Sequence, residues 1–282
     1  MAKEDGEFDK NGLDVDVTLI DSSKGIPAVI SGDVQVASLG GPETLSAVAG
    51  GADLVAVAVE GPVYPFLFQV PADIKTVNDL KGKKIGVSNF GSASDIATRL
   101  ALLKLGLDPE KDVSILAVGS LTARIGAMQS GAIQGGLSNP PDNLALEAKG
   151  FHTLVDLSTM GVPASIANDA WQRSYVSSHR DVVQRYVDAL IQAQARAKAD
   201  KAAAVKVMKK YLKSDDDNAM SVTYDYFMSK VLPDYPHIKV EQYAGAQQIL
   251  GKSNPKVQSY NVASMIDDSF VQNAEQRNVA KS

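Results

Sequence analysis

Between Asp79 and Gly150 apolar and polar positions alternate in blocks of a fixed order. The polar turn Asp79-Leu80-Lys81-Gly82-Lys83-Lys84 feeds a short apolar run, Ile85-Gly86-Val87. The run stops at Ser88-Asn89-Phe90-Gly91-Ser92-Ala93-Ser94-Asp95, a loop that opens a helix. Ser92 with Asp95 fits the Ser-x-x-Asp form of an N-cap, and Ile96, Leu100 and Leu103 follow at helical spacing. Gly106 ends the helix and Asp108-Pro109 prevents its continuation. The same pattern predicts strands over 84–88, 113–117, 133–137 and 153–157, with helices over 93–105, 121–130 and 141–149. Upstream, Leu13, Val15, Val17 and Leu19 alternate with polar residues as in a half-buried strand. Residues 33–38 and 54–59 read as further strands, separated by short helices near 26–30 and 42–48, the latter with Pro42 at its first position after Gly40-Gly41.

Beyond Ser178 the period becomes helical throughout. Val182, Val183, Tyr186, Val187, Leu190 and Ile191 form an apolar stripe, and more helices are predicted from near Asp217, over 241–250 and near 262–271. The alanine- and lysine-rich stretch 193–210 is a strong helix former with a solvated face. Glycine marks the same division. Of 22 glycines only Gly245 and Gly251 follow residue 162, which sets a strand-and-turn region before a helical one. Strands alternating with helices predict an α/β architecture on parallel sheets. Residues 66–70, bounded by Pro65 and Pro71, leave the first part of the chain, and 161–167 return to it.

At 282 residues the chain has room for a large core and two lobes. A net charge of −5 and a pI near 5.3 argue against nucleic acid, which needs a basic surface. No apolar run approaches the roughly 20 residues that cross a bilayer, so no membrane insertion is expected. The absence of cysteine removes disulfides, thiolate metal sites, iron–sulfur clusters and cysteine nucleophiles together. His152, His179 and His237 lie far apart with no ligand spacing, so neither metal nor cofactor is expected. The first residues carry no leader pattern. Ala2-Lys3-Glu4-Asp5-Gly6-Glu7-Phe8 reads as the middle of a helix, so a truncated start is expected.

Taken in order, the motifs resemble those of bacterial ABC-importer solute-binding proteins of the nitrate/sulfonate/taurine and thiamine-precursor (NMT1/THI5-like) family. The resemblance is carried by Glu7-Phe8-Asp9-Lys10-Asn11-Gly12-Leu13-Asp14-Val15, Ile30-Ser31-Gly32-Asp33-Val34 and Thr76-Val77-Asn78-Asp79-Leu80-Lys81-Gly82-Lys83-Lys84-Ile85-Gly86-Val87. Gly91-Ser92, Arg124-Ile125-Gly126-Ala127-Met128-Gln129-Ser130-Gly131-Ala132, Pro140 and Gly150-Phe151 continue it. It implies a two-lobe type 2 periplasmic binding fold, with mixed, mostly parallel sheets and a helical C-terminal region. Residues 1–70 and 164–282 would form lobe one and 71–163 lobe two. Family members begin with a further strand, which is expected to be missing here. The resemblance also implies a periplasmic or lipid-anchored monomer that captures a small organic or oxyanionic molecule by hinge closure and delivers it to permease subunits of an ABC transporter.

Ligands of open α/β sheets lie at the carboxyl ends of strands. In lobe one that selects Ser38, Gly40, Gly41, Pro42 and Thr44, with glycines for close backbone approach; Glu43 is assigned to the helix dipole. In lobe two it selects Ser88, Asn89, Gly91, Ser92, Ala93 and Ser94, whose main-chain donors at a helix start suit an anionic or polar group. The helix dipole adds roughly 0.3–1 kcal/mol for an anion there, against the about 8 kcal/mol of micromolar affinity, so enclosure must supply the rest. Asn139 at the next strand end, Tyr64 between Pro62 and Pro65, and Ser165 at the second crossing complete the set. Arg99, four residues after Asp95, reads as half of an intrahelical ion pair, and Arg124 as a residue near the cleft mouth. No arginine stands in a strand-end loop, which favours a neutral or heteroaromatic ligand over a sulfonate. Two other functions compete: a ligand sensor, whose binding domain would look the same, and an enzyme of the thiamine-pyrimidine synthase or desulfinase type. The relatives of the second kind depend on cysteine, and no Gly-x-Ser-x-Gly elbow is present.

Overall fold

The computed structural model describes residues 1–20 and 22–281. Within them eight strands occur: β1 (Val36–Leu39), β2 (Leu54–Val59), β3 (Leu67–Pro71), β4 (Lys84–Val87), β5 (Ser114–Ala117), β6 (Gly135–Ser138), β7 (Phe151–Asp156) and β8 (Asn168–Gln172). They form two sheets, ordered β1-β8-β2 and β5-β4-β6-β3-β7. All six residues of β2 are apolar and buried, as a strand covered on both faces requires. In each sheet one strand, β8 or β3, runs against its neighbours, while β4 pairs in parallel with β5 and β6. The five-stranded sheet is therefore mixed and the three-stranded sheet antiparallel in both its pairings, so antiparallel pairs outnumber the parallel ones expected to dominate, because one reversed strand lies between its neighbours in each sheet. β8 was not legible as a strand, because Asn168-Asp169-Ala170-Trp171-Gln172 carries three polar side chains in five.

Two segments join the sheets side by side. Glu60 N–H donates to Ala167 O at 3.0 Å, Ile166 N–H to Gly61 O at 3.0 Å, and Ala164 N–H to Pro62 O at 2.9 Å. The second crossing, read at 161–167, is thus hydrogen-bonded to residues 60–62; the first, read at 66–70, falls too late, because those residues pair into the five-stranded sheet as part of β3.

Two N-terminal expectations fail. Residues 13–20 are not a strand: Val17 is 60% and Leu19 100% exposed. β1 pairs with β8 alone, and among the described residues no strand lies beside 13–20. An alternating segment with no neighbouring ladder has no cross-strand bonds to hold it extended. The helix read through residues 2–8 is also interrupted. Gly6 turns left-handed at φ 72°, and α1 (Glu7–Lys10) starts only after it. Because Leu19 makes no buried contact, Leu19→Ser is expected to shift unfolding stability by less than about 0.5 kcal/mol in urea titration.

The helices that frame the strand ends are α2 (Ser22–Ser31), α3 (Gly41–Ala49), α4 (Ala93–Lys104), α5 (Leu121–Gln129) and α6 (Asp142–Glu147). After α7 (Arg173–Ser178) come α8 (Arg180–Ala199), α9 (Lys201–Leu212), α10 (Asp217–Lys230), α11 (Glu241–Gly251), α12 (Pro255–Gln258) and α13 (Ser269–Gln276). One apolar cluster runs from Leu45 and Val48 of α3 through Tyr243 and Ile249 of α11 to Ile96 and Leu100 of α4 and Ile85 of β4. α11 thus packs on elements of both sheets. Leu100 fits where Gly245 lacks a side chain, since a Cβ there would stand 2.5 Å from Leu100 Cδ1. A second cluster seals the opposite face of the three-stranded sheet, where Trp171 and Val57 meet Val183 and Val187 of α8 and Phe270 of α13. Among the described residues no helix is long and apolar enough to cross a membrane.

Candidate functional site

In the five-stranded sheet β4 leads to β5 on one flank, while β6, on its other flank, leads to β7 beyond β3. The connections leaving β4 and β6 diverge, and such a switch point at the carboxyl ends of the strands is where open α/β sheets take their ligands. Arg124 lies there. It sits in the first turns of α5, whose N-cap Ser120 accepts the Ala123 N–H at 3.2 Å. Its guanidinium donates to Ser88 Oγ after β4, to Gly119 O after β5 at 3.3 Å, and to Leu137 O of β6 at 3.3 Å. The residue is 4% exposed, Nε has no partner, and no carboxylate pairs with it among the described residues. Burial without an opposing charge holds its pKa below the ordinary arginine value. Ser138 Oγ, at the end of β6, is fully buried and also unpartnered.

The serines predicted from the sequence gather beside this cation. Ser94 Oγ accepts Ser88 N–H at 2.9 Å and donates to Ser88 Oγ at 3.2 Å, and Ser92 Oγ is 3.0 Å from Ser94 Oγ. Ser92 caps α4 by accepting Asp95 N–H at 3.4 Å. Asp95 accepts Gly91 N–H at 2.8 Å and pairs with Arg99 at 2.6 Å, so Arg99 is neutralised where Arg124 is not. Gly91 and Ser92 therefore spend their N–H groups inside the loop, Ser92 on Asn89 O at 3.2 Å. Ala93 and Ser94, at the first positions of α4, lack intrahelical acceptors and keep theirs. Asn89 is exposed, and Asn139 is half-buried with its carbonyl on Asp142 N–H at 2.8 Å.

At the ends of the three-stranded sheet, Gly41 N–H donates to Ser165 O at 2.7 Å. Thr44 is wholly buried, its hydroxyl set against Gly40 O at 3.0 Å and Asn168 Oδ1 at 3.3 Å, so the fold already occupies it. Pro42 is buried in the first turn of α3 and Ser38 is exposed on β1. Tyr64 is buried and stacks on Phe66; burial, then the nearby Glu43, pushes its phenol above the usual range. Glu43 is itself raised by burial, against a bond from its own backbone. Sequence reasoning missed Glu60, Asp169 and Tyr243. Glu60 directly follows β2, and burial with Asp169 beside it raises its carboxyl well above the normal range. Burial lifts Asp169 to about 6, against hydrogen bonds from Glu60 and Tyr186. An acid directly after six apolar strand residues was a usable signal for Glu60; nothing comparable marked Tyr243.

The family model described as NMT1/THI5 like matches residues 1–204. The chain belongs to the NMT1/THI5-like family. This NMT1/THI5-like chain is similar in structure to the periplasmic aliphatic sulphonate-binding protein SsuA of Escherichia coli, with TM-score 0.76 and 23% identity over 95% of this chain and 86% of that one. The alkanesulfonate-binding protein SsuA of Xanthomonas axonopodis pv. citri, bound to MOPS, matches with TM-score 0.74 and 21% identity over 94% and 92%. The desulfurization enzyme DszB shares the fold too, with TM-score 0.64 and 20% identity over 98% and 95%. No curated protein matches the sequence. The fold is that of type 2 periplasmic binding proteins.

Proposed function

We propose that this protein is the extracytoplasmic solute-binding component of an ABC importer, and that it captures a small organic oxyanion without catalysis. The observation that carries this reading is Arg124: a buried guanidinium with an unpartnered Nε and, among the described residues, no carboxylate partner, with a serine cluster and the start of α4 beside it. A buried cation without a counter-charge is costly, and an oxyanion offers what the protein leaves out. This replaces the preference for a neutral ligand, which rested on the loops alone. The three-stranded and the five-stranded sheet with their helices act as the two lobes, divided before β3 and not at residue 70, and the paired crossings act as the hinge. Binding shifts an open–closed equilibrium, because the solute meets both lobes only when they close. The closed monomer is then read by permease subunits. With no cysteine in the chain, thiol-dependent chemistry has no nucleophile.

Calorimetric titration with alkanesulfonates and matched carboxylates tests the site. Arg124→Gln keeps a hydrogen-bonding side chain and removes the charge, and is expected to weaken the best anion about 10–100-fold, as for a charge-assisted hydrogen bond of about 1.5–3 kcal/mol. Unchanged affinity in this variant refutes the assignment.

A further inference from the structure

Two side-chain hydrogen bonds run from α10 to the five-stranded sheet, and both end on Asp156. Tyr226 OH donates to Oδ1 at 3.0 Å and Lys230 Nζ to Oδ2 at 2.7 Å. Asp156 is the last residue of β7 and lies opposite Leu67 of β3, where the chain enters the sheet from the first crossing. Its carboxylate is fixed from its own side as well, since Oδ1 accepts Ser158 N–H at 3.0 Å and the Ser158 hydroxyl at 2.6 Å. An apolar seat backs these bonds: Tyr226 and Val231 are buried against Leu67, with Val63 and Phe227 packed around them.

The other face of α10 belongs to the other sheet. Residues 224 and 226 point about 200° apart around a helix, whereas 226 and 230 share a face. Tyr224 OH donates to Ala197 O at 2.9 Å and Lys198 O at 3.1 Å, near the end of α8, and Tyr224 is buried with Ala197 and Ala204. α8 in turn covers the three-stranded sheet. α10 therefore joins the two sheets a third time, beside the two crossings. Lys230 Nζ also stands 5.2 Å from the centre of the Tyr226 ring, so the two donors support one another.

We propose that α10 is a latch: Tyr226 and Lys230 hold Asp156, and with it the five-stranded-sheet lobe, in the closed position before any solute arrives. This rests on the two-lobe reading above and not on the charge of the solute. Rotation about the crossings carries the end of β7 past α10, and a hydrogen bond is lost once its atoms part beyond about 3.5 Å. The latch thus belongs to a single arrangement of the lobes. α11 marks that arrangement as the closed one, because it packs on α3 and also reaches the loop before α4, where a Cβ on Gly91 would stand 3.3 Å from Leu250 Cδ2. Asp156, Tyr226 and Lys230 are not among the candidate solute contacts. They act by setting the share of closed molecules, and a larger closed share raises the apparent affinity without a new contact to the solute.

The test is a distance measurement between spin labels by double electron–electron resonance, in solute-free protein. The chain has no cysteine, so Ser46→Cys on α3 and Thr122→Cys on α5, both exposed, supply the two labelling sites. The otherwise unchanged protein is expected to show mainly one short distance. Lys230→Met keeps the apolar stem and should raise the ratio of long to short distances at least about threefold, and Tyr226→Phe combined with it about tenfold. That pair leaves Asp156 and its bonds to Ser158 intact, so the fold is preserved. Adding Asp156→Ala to the pair should change the ratio no further, because the bonds it could break are already gone. A ratio that rises again with Asp156→Ala overturns the latch, as does a starting protein dominated by the long distance. The same broad distribution in all the proteins overturns the latch and leaves the hinge standing. One narrow, unchanged distance in all of them overturns the latch and the moving lobes together.

Discussion

Gly41→Val is expected to lower stability by about 3 kcal/mol and to abolish solute binding in the protein that remains folded. Gly41 is the first residue of α3, and its N–H is held by Ser165 O at 2.7 Å. A Cβ on it would lie 2.6 Å from Ser165 Cβ and 2.7 Å from Ser165 O. The second contact is with backbone, which cannot rotate aside, so either α3 or the second crossing must move. The same crossing is tied to the first through Ala164 and Ile166, so the displacement reaches both connections at once. Gly126 provides the contrast. It lies inside α5 with nothing within 4 Å of the built Cβ, so Gly126→Ala is expected to stabilise by roughly 0.5–1 kcal/mol through helix propensity. Urea midpoints of the two variants should therefore move in opposite directions. A Gly41→Val protein with the wild-type midpoint would show that the turn yields easily and does not position the crossing.

That contrast also bears on how much could be read from the residues. The turn at Gly40-Gly41-Pro42 and the capped start of α4 were legible because their chemistry is local: a glycine turn, a proline at a helix start, a serine three residues before an aspartate. The βα alternation from β4 to β7 was legible for the same reason. The placement of Arg124 was not legible because it depends on strand order. It becomes a strand-end residue only when β4, β5 and β6 lie side by side, and adjacency of strands is not written in spacing along the chain. β8 was missed because tertiary pairing with β1 and β2 overrides the weak strand preference of Asn168 and Asp169. Residues 13–20 failed in the reverse sense. Their alternation is genuine, but a periodic pattern becomes a strand only when a partner supplies the ladder.

The carboxyl pair at the ends of β2 and β8 predicts an unusual pH dependence. Wild-type stability is expected to fall as pH rises from about 4 towards 7, and Glu60→Gln should flatten that fall. Both carboxyls titrate above their unfolded values, chiefly because they are buried, so over this range the native state holds protons that the unfolded chain has released. The stability they contribute is complete below about 4 and is lost as pH rises through the Asp169 value of about 6, then further as Glu60 ionises. For Asp169 alone the loss is on the order of 3 kcal/mol. The opposing groups act elsewhere on the scale. At Asp156 burial pulls the pKa up, but hydrogen bonds from Lys230, Ser158 and Tyr226 prevail and hold it below the normal aspartate value; its contribution disappears as pH falls through that lowered value. The two windows separate near 4; burial raises Glu43 and Asp142 as well, so between pH 4.5 and 7.5 it is the difference between wild type and Glu60→Gln that isolates the buried pair. Glutamine at position 60 donates to Asp169 without carrying an acidic proton, which favours the charged aspartate and shrinks the shift. Parallel midpoint profiles for wild type and Glu60→Gln across that interval would mean that the two carboxyls do not share a proton in the folded protein.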